Sequence, residues 1–286
     1  MSDNEFKTLA DVIAHRYGEG TVGGGKSGAD LSADDVLSRV LLRRTHRRYT
    51  DAPIEDDLLD VLFAAAFSAS AKSDLQQASV VVVDDAAKRK AIADLIPSMP
   101  WIGTAPRFMV WIGDSRRIRR ICELRGKPFG NDHLDAFLNA AVDAALAMQT
   151  FILAAEMKGL GCCPISVVRN HVDAVAEILE LPLYTFPVAG LCVGWPSQEG
   201  FISMRLPPKV TVHKNRYDDW DLAEELAGYD QRRDARFSIP EGSRRMNDIY
   251  GEAPFYGWSE DKARQVSPPE RARLGRFVRA QGIRTD

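Results

Sequence analysis

The chain has 286 residues, a formal net charge of −3 and 45% hydrophobic residues. This length allows one large domain or two small ones with a buried core, and the near-neutral charge argues against a general attraction to nucleic acid or anionic membranes. The four cysteines are too few for a disulfide framework and lack the C-x-x-C spacing of a zinc or redox-dithiol site.

The first predicted elements are helices separated by a glycine-rich segment. Residues 5–17 have the spacing of a short amphipathic helix, and the charged N-terminal stretch lacks the apolar core of a signal peptide. Residues 18–31 are expected to form a flexible linker. Ser32 is the expected N-cap of a second helix. A third helix is expected from about residue 55 to Phe67, with acidic residues at its positive N-terminal end.

The rest of the chain contains three strand patterns and the longest helix. β-rich runs occur at 79–85, 106–114 and 186–196, each bounded by charge or proline. Residues 132–158 predict a long helix, capped by Asp132 and apolar on most sides, which is typical of a core or a subunit interface. Further helices are expected after Asn170 and from Ser267, whereas "CCPI" at 162–165 is expected to be irregular. This order predicts an α+β layered fold with a small sheet, and no apolar stretch reaches the length of a membrane span.

The stretch "GTVGGGKS", Gly20 to Ser27, matches the phosphate-loop pattern G-x-x-x-x-G-K-[ST]. A working phosphate loop lies between a buried strand and a helix that begins within the loop. Here the preceding residues have helical spacing, and the next helix is expected only five residues later. Three consecutive glycines are also entropically costly to order. A linker is therefore the favoured interpretation, and a nucleotide-binding protein that uses Gly20–Ser27 is an alternative.

A basic cluster, "RRTHRRY" at 43–49, is the strongest candidate for a binding site. Guanidinium groups on both sides of a hydroxyl can grip a terminal phosphate through charge-assisted hydrogen bonds. A solvated basic helix end that complements the helix dipole is the simpler explanation. A non-catalytic module that binds flavin or nucleic acid is a further alternative, against which the net charge argues.

Several motifs in register give the cluster a specific context. Residues 43–54 match R-R-[ST]-x-R-x-[FY]-x-x-x-P-[IV], and the polar loop "SASAKSDLQ" follows. A long alanine-rich helix then leads to "AAEMKGLGCCPI", and "VRNHVDAVAEILELP", "FPVAGLCVGWP" and "MRLPPKVTVHKNRY" come after it. Over residues 38–217 the chain resembles the FMN-dependent nitroreductase family, in particular its oxygen-insensitive NADPH nitroreductases and flavin reductases.

The resemblance implies a fold, a domain organisation and a reaction. The fold would be a small mixed β-sheet flanked by helices around a long buried core helix, in a homodimer with two FMN sites that each draw on both chains. Residues 1–31 would be a flexible extension, 32–217 the FMN-binding domain, and 218–286 a C-terminal extension packed on the same domain or the partner subunit. NADPH, or NADH, would reduce FMN. A nitroaromatic, quinone or free flavin would then be reduced in a ping-pong reaction that needs no assigned acid–base residue. We expect a cytoplasmic enzyme whose other partners are small molecules rather than nucleic acid or membrane.

The resemblance also assigns residues to the flavin site, and no metal site is expected. The ribityl phosphate would be held by Arg43, Arg44, Thr45 and Arg47, joined by Arg205 from a later loop. The edge of the isoalloxazine ring would be lined by Ala71, Ser73, Asp74 and Gln76. The flavin-facing turn would be Pro164, Ile165, Ser166 and Val167.

Three positions depart from the family pattern. Ser166 and Val167 replace a usual Gly-Gly pair, Asp74 places a carboxylate near the electron-rich ring edge, and Ser203 replaces a common phosphate-binding lysine. Lys72 is the candidate partner for Asp74, and Arg48 is a candidate to compensate for the lysine. For the 2′-phosphate of NADPH, the C-terminal candidates include two arginines, Arg264 and Arg271.

Overall fold

The computed structural model describes residues 6–22, 28–33 and 36–286. Contacts divide the chain into two compact units. The first combines the described residues up to Arg43 with Ile202–Glu270, and the second combines Arg44–Phe201 with Arg271–Asp286. The boundaries expected at residues 31 and 217 do not coincide with this division, and the expected domain organisation stays a prediction.

The second unit contains a four-stranded sheet in the order β1-β2-β4-β3. Its strands are β1 (Ala78–Val82), β2 (Arg107–Asp114), β3 (Gly161–Ile165) and β4 (Thr185–Gly194). The α+β fold with a small sheet is confirmed, but "mixed" is wrong, because all three strand pairings are antiparallel. The segment expected to be irregular forms β3. Pro164 is tolerated there because β3 is an edge strand.

The helices, in chain order, are α1 (Leu9–Tyr17), α2 (Val36–Leu41), α3 (Asp56–Ala66), α4 (Ala86–Leu95), α5 (Trp101–Thr104), α6 (Arg116–Leu124), α7 (Leu134–Met157), α8 (Val172–Ile178), α9 (Pro208–Thr211), α10 (Leu222–Phe237), α11 (Asn247–Tyr250), α12 (Trp258–Val266) and α13 (Leu274–Ala280). Helices α1, α3 and α7 were predicted within about four residues of their observed bounds by the sequence analysis. It missed α4 to α6 and α9 to α12, most of which are short or carry many charges.

Helix α7 dominates the second unit. One face buries Ala144, Ala147 and Phe151 in the core cluster that also contains residues of α3 and β2. The opposite face exposes an apolar stripe, which consists of Leu134, Leu138, Val142 and Leu146. By length and composition α7 also qualifies as a candidate membrane span, with a mean hydropathy of 1.5. Its buried face makes it a core helix of this unit.

Three expected helix caps are wrong, for local reasons. Asp132 accepts a hydrogen bond from Arg119 at 2.6 Å, and the cap of α7 is His133, whose ring nitrogen accepts from Asp135 N. Ser32 forms an isolated β-bridge with Thr8 instead of starting a helix. Ser267 ends α12, because the two prolines that follow it disfavour further helix. The helix expected after Asn170 begins at Val172, behind a 3₁₀ turn over Ser166–His171.

In the first unit, α1 is a capped and packed helix. Thr8 and Asp11 form a reciprocal capping box at its N-terminus. Leu9 and Val12 of α1 form a small core with Leu42 and Ile202. Residues 23–27, which contain most of the phosphate-loop match, lie outside the described residues. The element that precedes the match is the helix α1, whereas a phosphate loop requires a strand.

Candidate functional site

The arginine-rich segment runs along the edge strand β3. Thr45 forms a parallel bridge with Cys162, and His46 N donates to Cys162 O at 3.1 Å. A Cβ atom on Gly161 would lie 2.7 Å from His46 Cβ, so only glycine permits this approach. Tyr49 Oη donates to His46 O at 2.6 Å, and burial raises the pKa of this phenol, which keeps it a donor. The segment is therefore held in a defined extended conformation.

Residues 45–48 of this segment line a cavity of about 540 Å³ in the second unit. Arg48 Nη1 donates to the amide oxygen of Gln198 at 3.3 Å, and the guanidinium of Arg47 lies 5.6 Å from the centre of the Trp101 ring. Arg44 does not line the cavity, but its Nη1 donates to the backbone oxygen of Gly200, which does, at 3.4 Å. The remaining lining comes from Thr45, His46, Pro100, Thr104, Glu199 and Phe201. Exposed guanidinium groups beside a hydroxyl suit a phosphate dianion.

The loop that carries the predicted ring-edge residues has a strained backbone. Ser73, Asp74 and Gln76 adopt left-handed φ angles of 50°, 57° and 52°. All three are exposed, and Ala71 is half-buried. Asp74 Oδ1 accepts a hydrogen bond from Gln76 Nε2 at 3.0 Å, so its observed partner is Gln76 rather than Lys72. Left-handed conformations are costly for residues with a side chain, so the surrounding structure must stabilise this loop.

That stabilisation comes from Asp143, a residue that the sequence analysis missed. Asp143 is 3% exposed on α7. Its Oδ1 accepts from Lys72 N and its Oδ2 from Gln77 N, both at 2.9 Å, so one buried carboxylate ties both ends of the loop. The one feature of the sequence that could have identified Asp143 is that it is a single charged residue on the alanine-rich side of α7.

The predicted flavin-facing turn lies where β3 ends. Pro164 is exposed and Ile165 is buried, and Ser166 and Val167 open the 3₁₀ turn that follows. Arg271, from the C-terminal segment, donates to Ser166 Oγ at 3.2 Å. The serine that replaces glycine in the family pattern is thus itself hydrogen-bonded.

The second unit brings parts of two of the three predicted residue sets to the same edge of the sheet. The arginine segment and the turn both lie at the β3 edge, whereas the loop 71–76 leads into β1 at the opposite edge. The two edges are separated by three inter-strand spacings of about 4.8 Å, roughly 14 Å in all. Arg43 and Arg205 belong to the first unit, where Arg16 contacts the backbone of both.

Three of the four cysteines pack in the sheet. Cys162, Cys163 and Cys192 are buried in the sheet, and burial raises the pKa of the Cys192 thiol, which keeps it protonated. Among the described residues, no group of three or more histidine, cysteine, aspartate or glutamate side chains is placed to hold a metal ion.

Comparisons with known proteins find a matching protein family, similar curated proteins and similar solved structures. A family model described as "Nitroreductase family" matches residues 40–195, and "Nitroreductase family, C-terminal domain" matches 203–286. The "Oxygen-insensitive NADPH nitroreductase" of Salmonella typhimurium is 32% identical over 85% of this chain and 95% of its own. The "FMN reductase [NAD(P)H]" of Bacillus subtilis is 35% identical over 70% and 81%. The solved NADPH:FMN oxidoreductase from Vibrio harveyi, complexed with NAD+, superposes with a TM-score of 0.75 at 28% identity, covering 86% of this chain and 97% of that one.

Proposed function

This chain belongs to the nitroreductase family, and from that premise we propose that it is an FMN-dependent oxidoreductase that takes electrons from NAD(P)H. Nitroaromatics, quinones or free flavin are the electron acceptors, used in a ping-pong reaction. The observation that supports this most directly is the arginine segment along β3, of which Thr45, Arg47 and Arg48 line one cavity. This donor set fits a flavin mononucleotide phosphate, and bound FMN supplies the two-electron redox chemistry.

The residues of the second unit have distinct tasks in this proposal. Arg44, Thr45 and Arg47 neutralise and orient the phosphate. The backbone N–H groups of the turn at Ser166 and Val167 would stabilise the negative charge that develops on a bound flavin when it is reduced. Arg43 and Arg205 are further phosphate ligands on the resemblance alone. We assign no side chain to proton transfer, because water can supply the protons.

We further propose that the enzyme is a homodimer whose partner subunit supplies the loop 71–76. Within one protomer this loop and the arginine segment lie at opposite edges of the sheet. The apolar stripe on α7, formed by Leu134, Leu138, Val142 and Leu146, is exposed in the protomer. A stripe at intervals of four residues is the pattern of a helix that packs against another helix. Burying it in a dimer removes apolar surface from water and joins the two parts of the site.

NADPH is the proposed electron donor, with Arg271 as the contact for its 2′-phosphate. The other C-terminal candidate, Arg264, has a structural role, because it is 4% exposed and donates to Glu260, Asn247 and two backbone carbonyls. Arg271 instead reaches the flavin-facing turn at Ser166. Burial and, next, the charge of Arg271 lower the pKa of Arg169, so the positive charges of these two arginines repel each other. Concentrated positive charge favours a phosphorylated ribose.

The alternatives receive no comparable support. A phosphate-loop protein using Gly20–Ser27 would require a strand where α1 lies, and the related proteins are named as reductases. A nucleic-acid-binding module conflicts with the net charge of −3. We propose a soluble, cytoplasmic enzyme that acts on small molecules.

Absorption spectroscopy tests the function. The purified protein, or apoprotein supplied with FMN, should show bound flavin absorption that bleaches when NADPH is added anaerobically. NADH should bleach it more slowly. Arg47→Ala should weaken FMN binding, whereas Arg39→Ala, an exposed arginine on α2, should leave it unchanged. A colourless protein that gains no thermal stability from FMN would exclude the function.

A further inference from the structure

Helix α1, which precedes the part of the chain matched by the family models, carries a buried arginine, Arg16. It is 6% exposed. Its Nη2 donates to Arg43 O and its Nη1 to Ser203 O, both at 3.0 Å. Its own carbonyl accepts from Arg205 N at 3.0 Å. One residue therefore joins two segments that lie 27 and 187 positions away in sequence.

The surroundings fix this bridge in place. Leu9 and Val12 of α1 pack against Leu42 and Ile202, the residues that directly precede Arg43 and Ser203. The segment that Arg16 contacts is held further, because Tyr229 Oη donates to Met204 O at 3.0 Å. Burial raises the pKa of Tyr229, so the phenol remains a donor.

Three consecutive residues before the motif "LPP" therefore each have a backbone group bound. Ser203 O is bound by the Arg16 side chain, Met204 O by Tyr229, and Arg205 N by the Arg16 carbonyl. A guanidinium is planar and offers several donors in a rigid fork, so it can hold two carbonyls at a fixed separation, whereas an ammonium group cannot reproduce that geometry.

We propose that Arg16 is a positioning residue for the cofactor phosphate, an inference that rests on the proposed function. It sets the backbone of the segments that carry Arg43 and Arg205, so that both guanidinium groups reach the same phosphate. In the family pattern a lysine stands at the position of Ser203. Here Arg16 binds the Ser203 carbonyl. Helix α1 therefore stabilises the backbone of the segment Ser203–Arg205, which lacks this lysine.

Binding of FMN and of riboflavin, which lacks the phosphate, separates positioning from general structural support. Full-length apoprotein is titrated with each flavin and the quenching of flavin fluorescence is measured. Arg16→Met should raise the Kd for FMN about tenfold or more, the equivalent of losing one charge-assisted hydrogen bond, and leave the Kd for riboflavin within about twofold. Arg16→Lys should give an intermediate value, because a single ammonium can hold one of the two carbonyls. The control Arg39→Met should match the wild type for both flavins.

The measured Kd values distinguish a positioning role of Arg16 from general structural support. The inference is overturned if Arg16→Met leaves the Kd for FMN unchanged, or if it raises both Kd values by the same factor, since general loosening of the fold affects both flavins. Should Arg16→Met fail to fold, as judged by circular dichroism, the ratio of the two Kd values for Arg16→Lys decides. In a double-mutant cycle with Arg205→Met, the effects should be less than additive. A wild-type protein that binds neither flavin would refute the proposed function. If the wild type prefers FMN and Arg16→Met keeps the same preference, only the inference about Arg16 fails.

Discussion

Replacing Asp143 by asparagine should destabilise the protein well beyond an ordinary Asp→Asn change. The carboxylate accepts two backbone hydrogen bonds at 2.9 Å, from Lys72 N and Gln77 N, and is 3% exposed. Asparagine keeps one acceptor but turns an amide donor toward the second N–H group. A hydrogen bond to a charged group contributes about 1.5–3 kcal/mol, and a buried donor left without an acceptor costs about 1–3 kcal/mol. We therefore expect the free energy of unfolding to fall by about 3 kcal/mol.

Asp85→Asn provides a matched control. Asp85 also accepts two backbone N–H groups, from Ala87 and Lys88, but it is an exposed N-cap and uses a single oxygen, Oδ1. Asparagine is nearly as good an N-cap as aspartate, so the expected loss is only about 0.5 kcal/mol or less. Urea unfolding measures both variants, and hydrogen exchange at the Gln77 amide reports the loop itself. Equal losses for the two variants, or unchanged exchange at Gln77, would refute the role given to Asp143.

Three further predictions each concern the substitution of a single residue. Leu138→Glu, in the exposed stripe of α7, should shift the protein from dimer to monomer in sedimentation velocity, and a wild type that sediments as a monomer contradicts the proposed dimer. Arg271→Ala should reduce the preference for NADPH over NADH in kcat/KM by about tenfold, the effect of one charge-assisted contact, whereas exposed Arg273→Ala should not. The hydrogen bond from Arg119 holds the pKa of Asp132 below its ordinary value of 3.8, so its contribution to stability is present above that pH and is lost as the pH falls through the lowered pKa. The stability difference between wild type and Asp132→Asn should therefore shrink in acid unfolding below pH 3.8, and a difference that stays constant would contradict this assignment.

Helices and strands could be predicted from the sequence where the hydrophobic pattern repeats along a contiguous segment. The period of α7 and the apolar runs of β2 and β4 extend over eight or more residues, and they were predicted within a few residues of their bounds. β3 was missed because five residues that include a proline give no such repeat, and only pairing with β4 makes Cys162 and Cys163 part of a strand. The edge position that admits Pro164 is a property of the sheet and cannot be read from the segment itself.

The site residues divide in the same way. The arginine segment was found because its residues are adjacent in sequence, and the structure places its second half on one cavity wall. Asp143 and Arg16 were missed because each is a single charged residue on a helix whose partners are backbone groups far away in the chain. A contact to a backbone carbonyl or amide does not depend on the residue type of the partner. No residue pattern at positions 43, 72, 77 or 203 could therefore have predicted these contacts.

Each departure from the family pattern is engaged by a partner from this chain. Ser166, in place of glycine, accepts from Arg271, and the Asp74 carboxylate accepts from Gln76 at 3.0 Å. Ser203, in place of lysine, has its carbonyl bound by Arg16. Two of these three partners lie more than 100 positions away in sequence, Arg16 on α1 and Arg271 in the C-terminal segment. We therefore expect that introducing all three residues into a relative that lacks Arg16 and Arg271 would weaken FMN binding in that relative. Here the same three residues should be tolerated, because their partners are present.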